Sequence, residues 1–306
     1  MDDLVASAPG SGEVEFMQSY RACGADVRHA EVLENGQVET KLLAKHQGRA
    51  IKLAIEPGSS HIFYTCGEDG LVQHFDLRTG TATEIFTCRP LLAKSSRPVV
   101  HLNAIAIDPR NPNLIAVAGS DEYTRLYDFR KHRWGSSTDF GHPTEFFCPP
   151  HLIGDKHVGI TGLAFSDQGK TGLYPHSVAF PTDLDGDSKV GPRVYKGHKN
   201  CDTVKGVNFF GPKCDYIVSG SDCGRIFIWK KSGELIRVVE ADNHVVNSIE
   251  SHPHTTVLAS SGIEHAIKLW TPKCIDRATL PTNIGERPKA RVRLHGVFSP
   301  EDLMMQ

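Results

Sequence analysis

The sequence predicts an all-β fold built from repeated units of a few short strands. First, β-branched and aromatic runs are punctuated by Gly, Pro, Asp and Asn, a pattern typical of strands joined by hairpins. Second, the chain repeats itself, with aligned copies at residues 53–75, 105–127, 207–229 and 249–270. Third, strands such as RIFIWK at residues 225–230 are apolar at consecutive positions, which indicates burial on both faces.

Each copy contains a strand, a turn with Pro or Gly, a second strand ending in small residues, an acidic turn, and a third strand. That third strand ends in an aromatic residue in all four copies. Sheets buried on both faces are stacked side by side in a β-propeller, where each sheet forms one blade. The repeat spacing predicts four blades, at residues 46–88, 98–140, 198–241 and 244–285.

Other parts of the chain predict less regular structure. Residues 22–45 contain the later strands of a blade whose first strand is missing. Residues 168–192 are rich in Gly, Pro and Asp, which predicts irregular chain or a degenerate blade. We therefore expect a disordered lead-in at residues 1–21, a propeller over 22–285 and a C-terminal tail at 286–306.

Composition and charge narrow the classes of function. The 306 residues have a formal net charge of -2, so no basic excess marks a binder of nucleic acids or membrane surfaces. No apolar run approaches the length of a membrane span. The eight cysteines are scattered without a CxxC spacing, which favours reduced thiols in an intracellular protein.

The repeats resemble WD-repeat β-propellers, whose signature is a Gly-His pair followed, later in the repeat, by Trp-Asp. In that family a hydrogen-bonded set of His, Asp, Ser or Thr, and Trp ties each blade. The resemblance assigns this structural role to His46, Thr65, Asp69, Asp121, His198, Ser219, Trp229 and Trp270. Cys223 and Glu264 replace the turn Asp in the last two copies, so we expect those blades to be less rigidly tied.

An aromatic residue followed by Asp, a hydrophobic residue and Arg ends the third strand in the first two copies. These residues are Phe75, Asp76 and Arg78, and Tyr127, Asp128 and Arg130. Residues two apart in a strand share a face and lie about 6.6 Å apart, so each Asp would stand beside its Arg. If the motif occurred only once, a structural ion pair would explain it best. Two copies would place two guanidinium groups on one rim, where Arg is a favoured interface anchor.

This pattern resembles the docking box of WD-repeat substrate receptors of cullin-four RING ubiquitin ligases, the DDB-and-cullin-four-associated factor family. The resemblance covers most of residues 22–285 and fails at 168–192 and in the lead-in. It implies a seven-bladed parent, of which this chain would be a truncated or alternatively spliced form with four clear and two incomplete blades. It also implies that the six residues above contact the ligase's DDB-type adaptor, that an unidentified substrate protein is bound, and that the protein is nuclear and cytoplasmic.

No group of residues predicts catalysis. The GKT at residues 169–171 lacks the spacing of a phosphate-binding loop. The acidic run 183–188 resembles the start of a calcium loop, but Ser188 stands at position six in place of Gly and Val194 at position twelve in place of Glu. His252 and His254 lack nearby Cys or carboxylate partners for a metal. The sequence predicts a binding module without catalysis, cofactor, metal, membrane or direct nucleic-acid partner. The alternative is a WD-repeat scaffold for chromatin or signalling complexes, in which the Asp–Arg pairs are only structural.

Overall fold

The computed structural model describes residues 16–18, 25–33, 35, 37–91, 98–131, 142–155, 158–166, 171–174, 178–181, 193–252, 255–264 and 266–272. Apart from the strands, this part of the chain contains two single-turn 3-10 helices, Phe129–Lys131 and Pro150–Leu152, and no α-helix. None of the described helices is long and apolar enough to cross a membrane.

The described strands form six antiparallel sheets, each built from strands that are consecutive in the chain. Sheet I contains β1 (Phe16–Gln18), β2 (Asp26–Val32) and β3 (Val38–Lys45). Sheet II contains β4 (Ala50–Ile55), β5 (Ile62–Gly67), β6 (Leu71–Asp76) and β7 (Thr81–Thr87). Sheet III contains β8 (Leu102–Asp108), β9 (Asn111–Gly119), β10 (Thr124–Asp128) and β11 (Glu145–Phe147).

The second half of the chain continues in the same way. Sheet IV contains β12 (Ala164–Phe165), β13 (Thr171–Tyr174), β14 (Val178–Pro181) and β15 (Arg193–Val194). Sheet V contains β16 (Val207–Phe210), β17 (Tyr216–Ser219), β18 (Arg225–Lys230) and β19 (Leu235–Glu240). Sheet VI contains β20 (Val246–Ser251), β21 (Leu258–Gly262) and β22 (Lys268–Trp270).

The first strands of sheets II to VI lie at the centre of the arrangement. β4 contacts β8, β8 contacts β12, β12 contacts β16, and β16 contacts β20. Lys52 of β4 also lies 3.8 Å from the Glu250 carboxylate of β20, which brings the last sheet beside sheet II. Sheets that follow one another around a shared set of inner strands are the blades of a propeller, so the predicted β-propeller is confirmed.

The hydrophobic core lies between neighbouring sheets. In β18, Phe227 and Trp229 pack toward sheet IV, whereas Ile226 and Ile228 pack on the other side toward sheet VI. Sheet II is likewise buried on both faces, since Phe63 faces sheet I and Tyr64 faces sheet III. The burial on both faces expected from consecutive apolar positions is confirmed.

Of the two structures predicted for residues 168–192, irregular chain or a degenerate blade, the described part forms strands of a sheet whose first and last strands are only two residues long. β13 and β14 pair in antiparallel register from Thr171↔Pro181 to Tyr174↔Val178, and β12 and β15 flank them. Gly172 lies inside β13, where glycine weakens a strand without preventing it, and Pro181 is the last residue of β14. The acidic run 183–188 lies outside the described residues.

Part of the predicted lead-in is also a strand. Phe16–Gln18 pairs with Arg28–Ala30, although residues 1–21 were expected to be disordered. Pairing with β1 satisfies the backbone N–H and C=O groups along one edge of β2. A segment of three residues has no side-chain pattern that predicts this pairing. Residues 1–15 and the expected tail at 286–306 lie outside the described residues.

Candidate protein-interaction site

The Asp–Arg motifs lie at one end of their sheets. β4, β6, β8 and β10 all run toward this end, where the first strand turns into the second and the third strand turns into the fourth. We call the surface formed there by residues 56–61, 77–80, 109–110 and 129–131 the Asp–Arg face. It is separate from the opposite sheet end, which carries the acidic turns between second and third strands.

The first pair closes the turn between β6 and β7. The Asp76 carboxylate accepts hydrogen bonds from the backbone N–H, Nε and Nη2 of Arg78 at 3.0, 3.0 and 2.8 Å. The Gly80 N–H donates to the Asp76 carbonyl at 2.9 Å, and Gly80 takes a φ of 67°, which glycine adopts without steric cost. The Arg78 side chain is 62% exposed and that of Asp76 only 16%.

The second pair repeats this geometry in the turn after β10. Asp128 accepts from the backbone N–H, Nε and Nη2 of Arg130 at 3.0, 2.9 and 2.7 Å. The Arg130 side chain is 60% exposed and that of Asp128 is 9% exposed. In both motifs the acid is therefore mostly covered and the guanidinium group faces solvent.

Hydrogen bonds from the guanidinium groups set the ionisation of both acids. They lower the pKa of Asp76 to about 2, and those from Arg130 lower the pKa of Asp128. The same bonds raise the pKa of Arg78 and of Arg130. Both pairs are consequently ionised at neutral pH.

The Asp and the Arg of each motif stand side by side, but they do not share a strand as strand alternation predicted. Each strand ends at its Asp, and the chain turns before the Arg. The carboxylate accepts the backbone N–H two residues later, a local bond that favours a turn over a continued strand. The turn brings each guanidinium group within hydrogen-bonding distance of its Asp carboxylate.

The aromatic residues of the motifs lie beneath this surface. Phe75 is 2% exposed and stacks on Phe63 with ring centroids 4.6 Å apart. Tyr127 is also 2% exposed and stacks on Phe86 of sheet II at 4.0 Å. Of the six residues predicted to bind the adaptor, the two arginines therefore offer the exposed groups, and the aromatic pair supports them from the core.

Phe129 holds the two motifs at a fixed spacing. It follows Asp128 directly and stacks on Tyr64 of sheet II, with ring centroids 5.5 Å apart and planes 17° apart. The Tyr64 hydroxyl donates to the Glu56 carboxylate at 3.2 Å, and burial raises the pKa of Tyr64. The turn that carries Arg130 is thus anchored in the sheet that carries Arg78.

The structural set of sheet II lies at the opposite sheet end. His46 contacts the Asp69 carboxylate through Nδ1 at 3.0 Å and Thr65 Oγ1 through Nε2 at 2.8 Å. Asp69 also accepts the N–H of Gln47 at 2.8 Å. Burial raises the pKa of Asp69, but the hydrogen bonds from His46, Leu71 and Gln47 outweigh it, and the pKa falls below its ordinary value.

The remaining predicted structural residues are spread over three sheets. Asp121 pairs with the buried Arg125, a partner that sequence reasoning missed, at 2.9 and 2.6 Å. His198 packs edge-on against Trp229, whose Nε1 donates to the Lys196 carbonyl at 3.2 Å. Two further contacts are those of Ser219 Oγ with the Gly220 carbonyl at 3.1 Å and of Trp270 Nε1 with Ser260 Oγ at 2.9 Å.

Two acids tie the last blades, of which sequence reasoning missed Asp222 and named Glu264 only as a replacement for the turn Asp. Asp222, one position before Cys223, accepts the N–H groups of Cys201 and Asp202 at 2.6 and 3.0 Å. Glu264 accepts the N–H of Asn243 at 3.0 Å. Each acid bonds the loop that leads into its sheet, as Asp69 does in sheet II. These loops therefore stay hydrogen-bonded although the turn Asp itself is replaced. Asp222 could have been found by accepting an acid at any position of the turn between the second and third strands.

Among the residues that the structure describes, no group of three or more His, Cys, Asp or Glu side chains is arranged to hold a metal ion. His252 Nδ1 accepts the Thr255 N–H at 3.1 Å, as in a turn, and His254 lies outside the described residues.

Part of the chain matches a known protein family. The family described as "WD domain, G-beta repeat" matches residues 192–230 and 233–271, which include sheets V and VI. The fold is a WD-repeat β-propeller. The signature pair Gly197–His198 and Trp229 of β18 all lie in the first matched repeat.

Curated relatives are similar to this chain over a short stretch. The chain is 52% identical over 81 residues to human "DDB1- and CUL4-associated factor 6", and equally to its mouse counterpart. It is 48% identical over 82 residues to "Protein ALTERED SEED GERMINATION 2" of Arabidopsis thaliana, and 47% over 81 residues to human "WD and tetratricopeptide repeats protein 1". Each match covers 26% of this chain and only 9% to 12% of the relative.

Proposed function

We propose that this chain is a substrate receptor of a cullin-four RING ubiquitin ligase. It docks on the ligase's DDB-type adaptor through Arg78 and Arg130 and presents an unidentified target protein for ubiquitination, without catalysis of its own. The similarity to a protein named DDB1- and CUL4-associated factor 6 supports this reading. We further propose that the chain is a truncated or alternatively spliced form of the eighth member of that family, and that it acts in the nucleus and cytoplasm.

The observation that carries the proposal is the repeated geometry of the two arginines. A guanidinium group has five N–H donors, and the side chain of each Asp engages only Nε and one N–H of Nη2. The outer donors point away from the acid, toward the solvent side. Because the Asp already holds the side chain in one orientation, binding a partner costs little further side-chain entropy.

The test is the double variant Arg78→Ala, Arg130→Ala, assayed by co-purification of the adaptor and by titration with purified adaptor. Losing an arginine anchor from the centre of an interface weakens binding roughly thirtyfold or more, so we expect recovery of the adaptor to be abolished. The strand-type circular dichroism and most of the thermal stability should remain, because both side chains are mainly exposed.

Arg49→Ala is the matched control. Arg49 is 54% exposed and bonded through Nε to Glu68 at 2.8 Å, but it lies at the opposite end of sheet II. It should bind the adaptor as the wild type does. Undiminished recovery of the adaptor by a folded double variant would refute the docking role.

A non-catalytic WD-repeat scaffold for chromatin or signalling complexes is the second candidate. The pairing of each arginine within its own turn favours it, because such a pair is complete without a partner. On that reading the wild-type chain recovers no adaptor, and the double variant loses thermal stability because two mostly covered acids lose their hydrogen-bond donors.

A further inference from the structure

A third Asp-x-Arg turn lies on the Asp–Arg face. Asp108 ends β8, and its carboxylate accepts the backbone N–H of Arg110 at 2.9 Å, as Asp76 and Asp128 do in their own turns. Arg110 Nε lies 4.0 Å from the same carboxylate. The Arg110 side chain is 52% exposed and that of Asp108 is 9% exposed, so here too the acid is covered and the guanidinium group faces solvent.

The register of sheet III places this turn beside the second motif. Ile115 of β9 pairs with Ile107 on one side and with Tyr127 on the other. Asp128 lies opposite Leu114, but the register shifts after Ile107, so Asp108 lies opposite Asn111 of β9. Both acids are nevertheless at the same end of sheet III, on either side of β9, and two strand spacings across the sheet are about 10 Å.

Arg110 also lies closer to the centre of the propeller than Arg130 does. β8 is the inner strand of sheet III and contacts β4 and β12 of the neighbouring sheets, whereas β10 is the third strand outward. The three arginines therefore extend from the outer part of the Asp–Arg face toward the central strands.

Sheet II has no counterpart of this third arginine. In sheet II the corresponding turn has Glu56 in place of Asp108 and Gly58 in place of Arg110. The exposed Lys131 follows Arg130 in the chain and adds a further positive charge beside the second motif. Because the paired acids are covered, the groups that sheet III presents here are cationic and rich in N–H donors.

We propose that Arg110 completes a three-arginine docking surface with Arg78 and Arg130, and that this surface fits an acidic segment of the partner. The identity of the partner rests on the proposed function. Guanidinium groups bind carboxylates with paired hydrogen bonds, and opposite charges across an interface speed association and select the partner. The contact with Arg110 extends the footprint of the adaptor from the rim toward the propeller centre.

The experiment measures the affinity of purified adaptor for the full chain and for Arg110→Ala, Arg110→Glu and Arg110→Lys, at low and at physiological salt. We expect Arg110→Ala to weaken binding about five- to tenfold and Arg110→Glu to weaken it more, because the acidic segment would then meet a like charge. The difference between these variants should shrink as salt screens the charges. Arg110→Lys should retain part of the affinity, and Arg49→Ala all of it.

Thermal denaturation is run on every variant, because a loss of affinity counts only if the fold persists. If Arg110→Ala is unstable, Arg110→Lys and the salt dependence still test the contact. Arg110→Ala and Arg110→Glu that bind within twofold of the wild type, while Arg78→Ala weakens binding, would refute this proposal and leave the docking role intact. A wild-type chain that does not bind the adaptor would refute the docking role, and this proposal with it.

Discussion

Replacing Phe129 by Ala should lower both stability and adaptor binding. Phe129 is 8% exposed, belongs to the core between sheets II and III, and stacks on Tyr64. Truncating a buried Phe to Ala costs 3–5 kcal/mol, and the position of Phe129 in a surface turn favours the lower end, about 3 kcal/mol. For a domain of this size each kcal/mol shifts Tm by roughly 2–4 °C, so Tm should fall by about 6–12 °C.

The assay is thermal and urea denaturation of Phe129→Ala beside Phe129→Leu, which keeps most of the apolar volume. The Leu variant should lose about 1 kcal/mol, because volume is largely kept but the aromatic stacking is lost. The Ala variant should also bind the adaptor more weakly at a temperature where it is folded, because the turn that carries Arg130 loses its anchor in sheet II. An Ala variant with unchanged denaturation midpoints would refute the packing of Phe129 on Tyr64 as the link between the motifs.

The remaining predictions concern pH and thiol reactivity. The pKa of Asp76 is lowered from the ordinary 3.8 to about 2 and that of Asp128 is also lowered, so their contribution to stability is complete above their unfolded-state pKa and is lost as pH falls toward 2. The Tm of the wild type should fall as pH is lowered from 5 to about 2, and the Tm of Asp76→Asn should fall less steeply. Equal slopes of Tm against pH for the two proteins would contradict the depressed pKa of Asp76. Burial raises the pKa of the Cys66 thiol to about 12 and that of Cys88 to about 11, whereas Cys201 is exposed. In the native protein a thiol reagent at about pH 8 should therefore modify Cys201 and spare Cys66 and Cys88, as peptide mapping would show; rapid labelling of Cys66 in folded protein would contradict its burial.

The sequence alone determined the repeated blades and the turns that carry the candidate site. Strand-forming runs, turn residues and the acid that bonds the backbone two residues later are all local, so a single repeat contains the information. For this reason Asp76 and Asp128 could be found, along with the blades around them. The same reasoning overlooked Asp108, because it looked for an aromatic residue before the acid and Ile107 stands there.

Only the tertiary structure decided which side chains of the site are exposed and how its parts are joined. Tyr127 is a core residue because it stacks on Phe86 of the neighbouring sheet. The spacing of the arginines depends on the contact between Phe129 and Tyr64, which are far apart in the chain. Short strands such as β1 and β13 also form because a neighbouring strand offers its edge, and a segment of three or four residues carries no pattern strong enough to predict that pairing. Local chemistry set the turns, and packing between sheets set the surface that those turns form together.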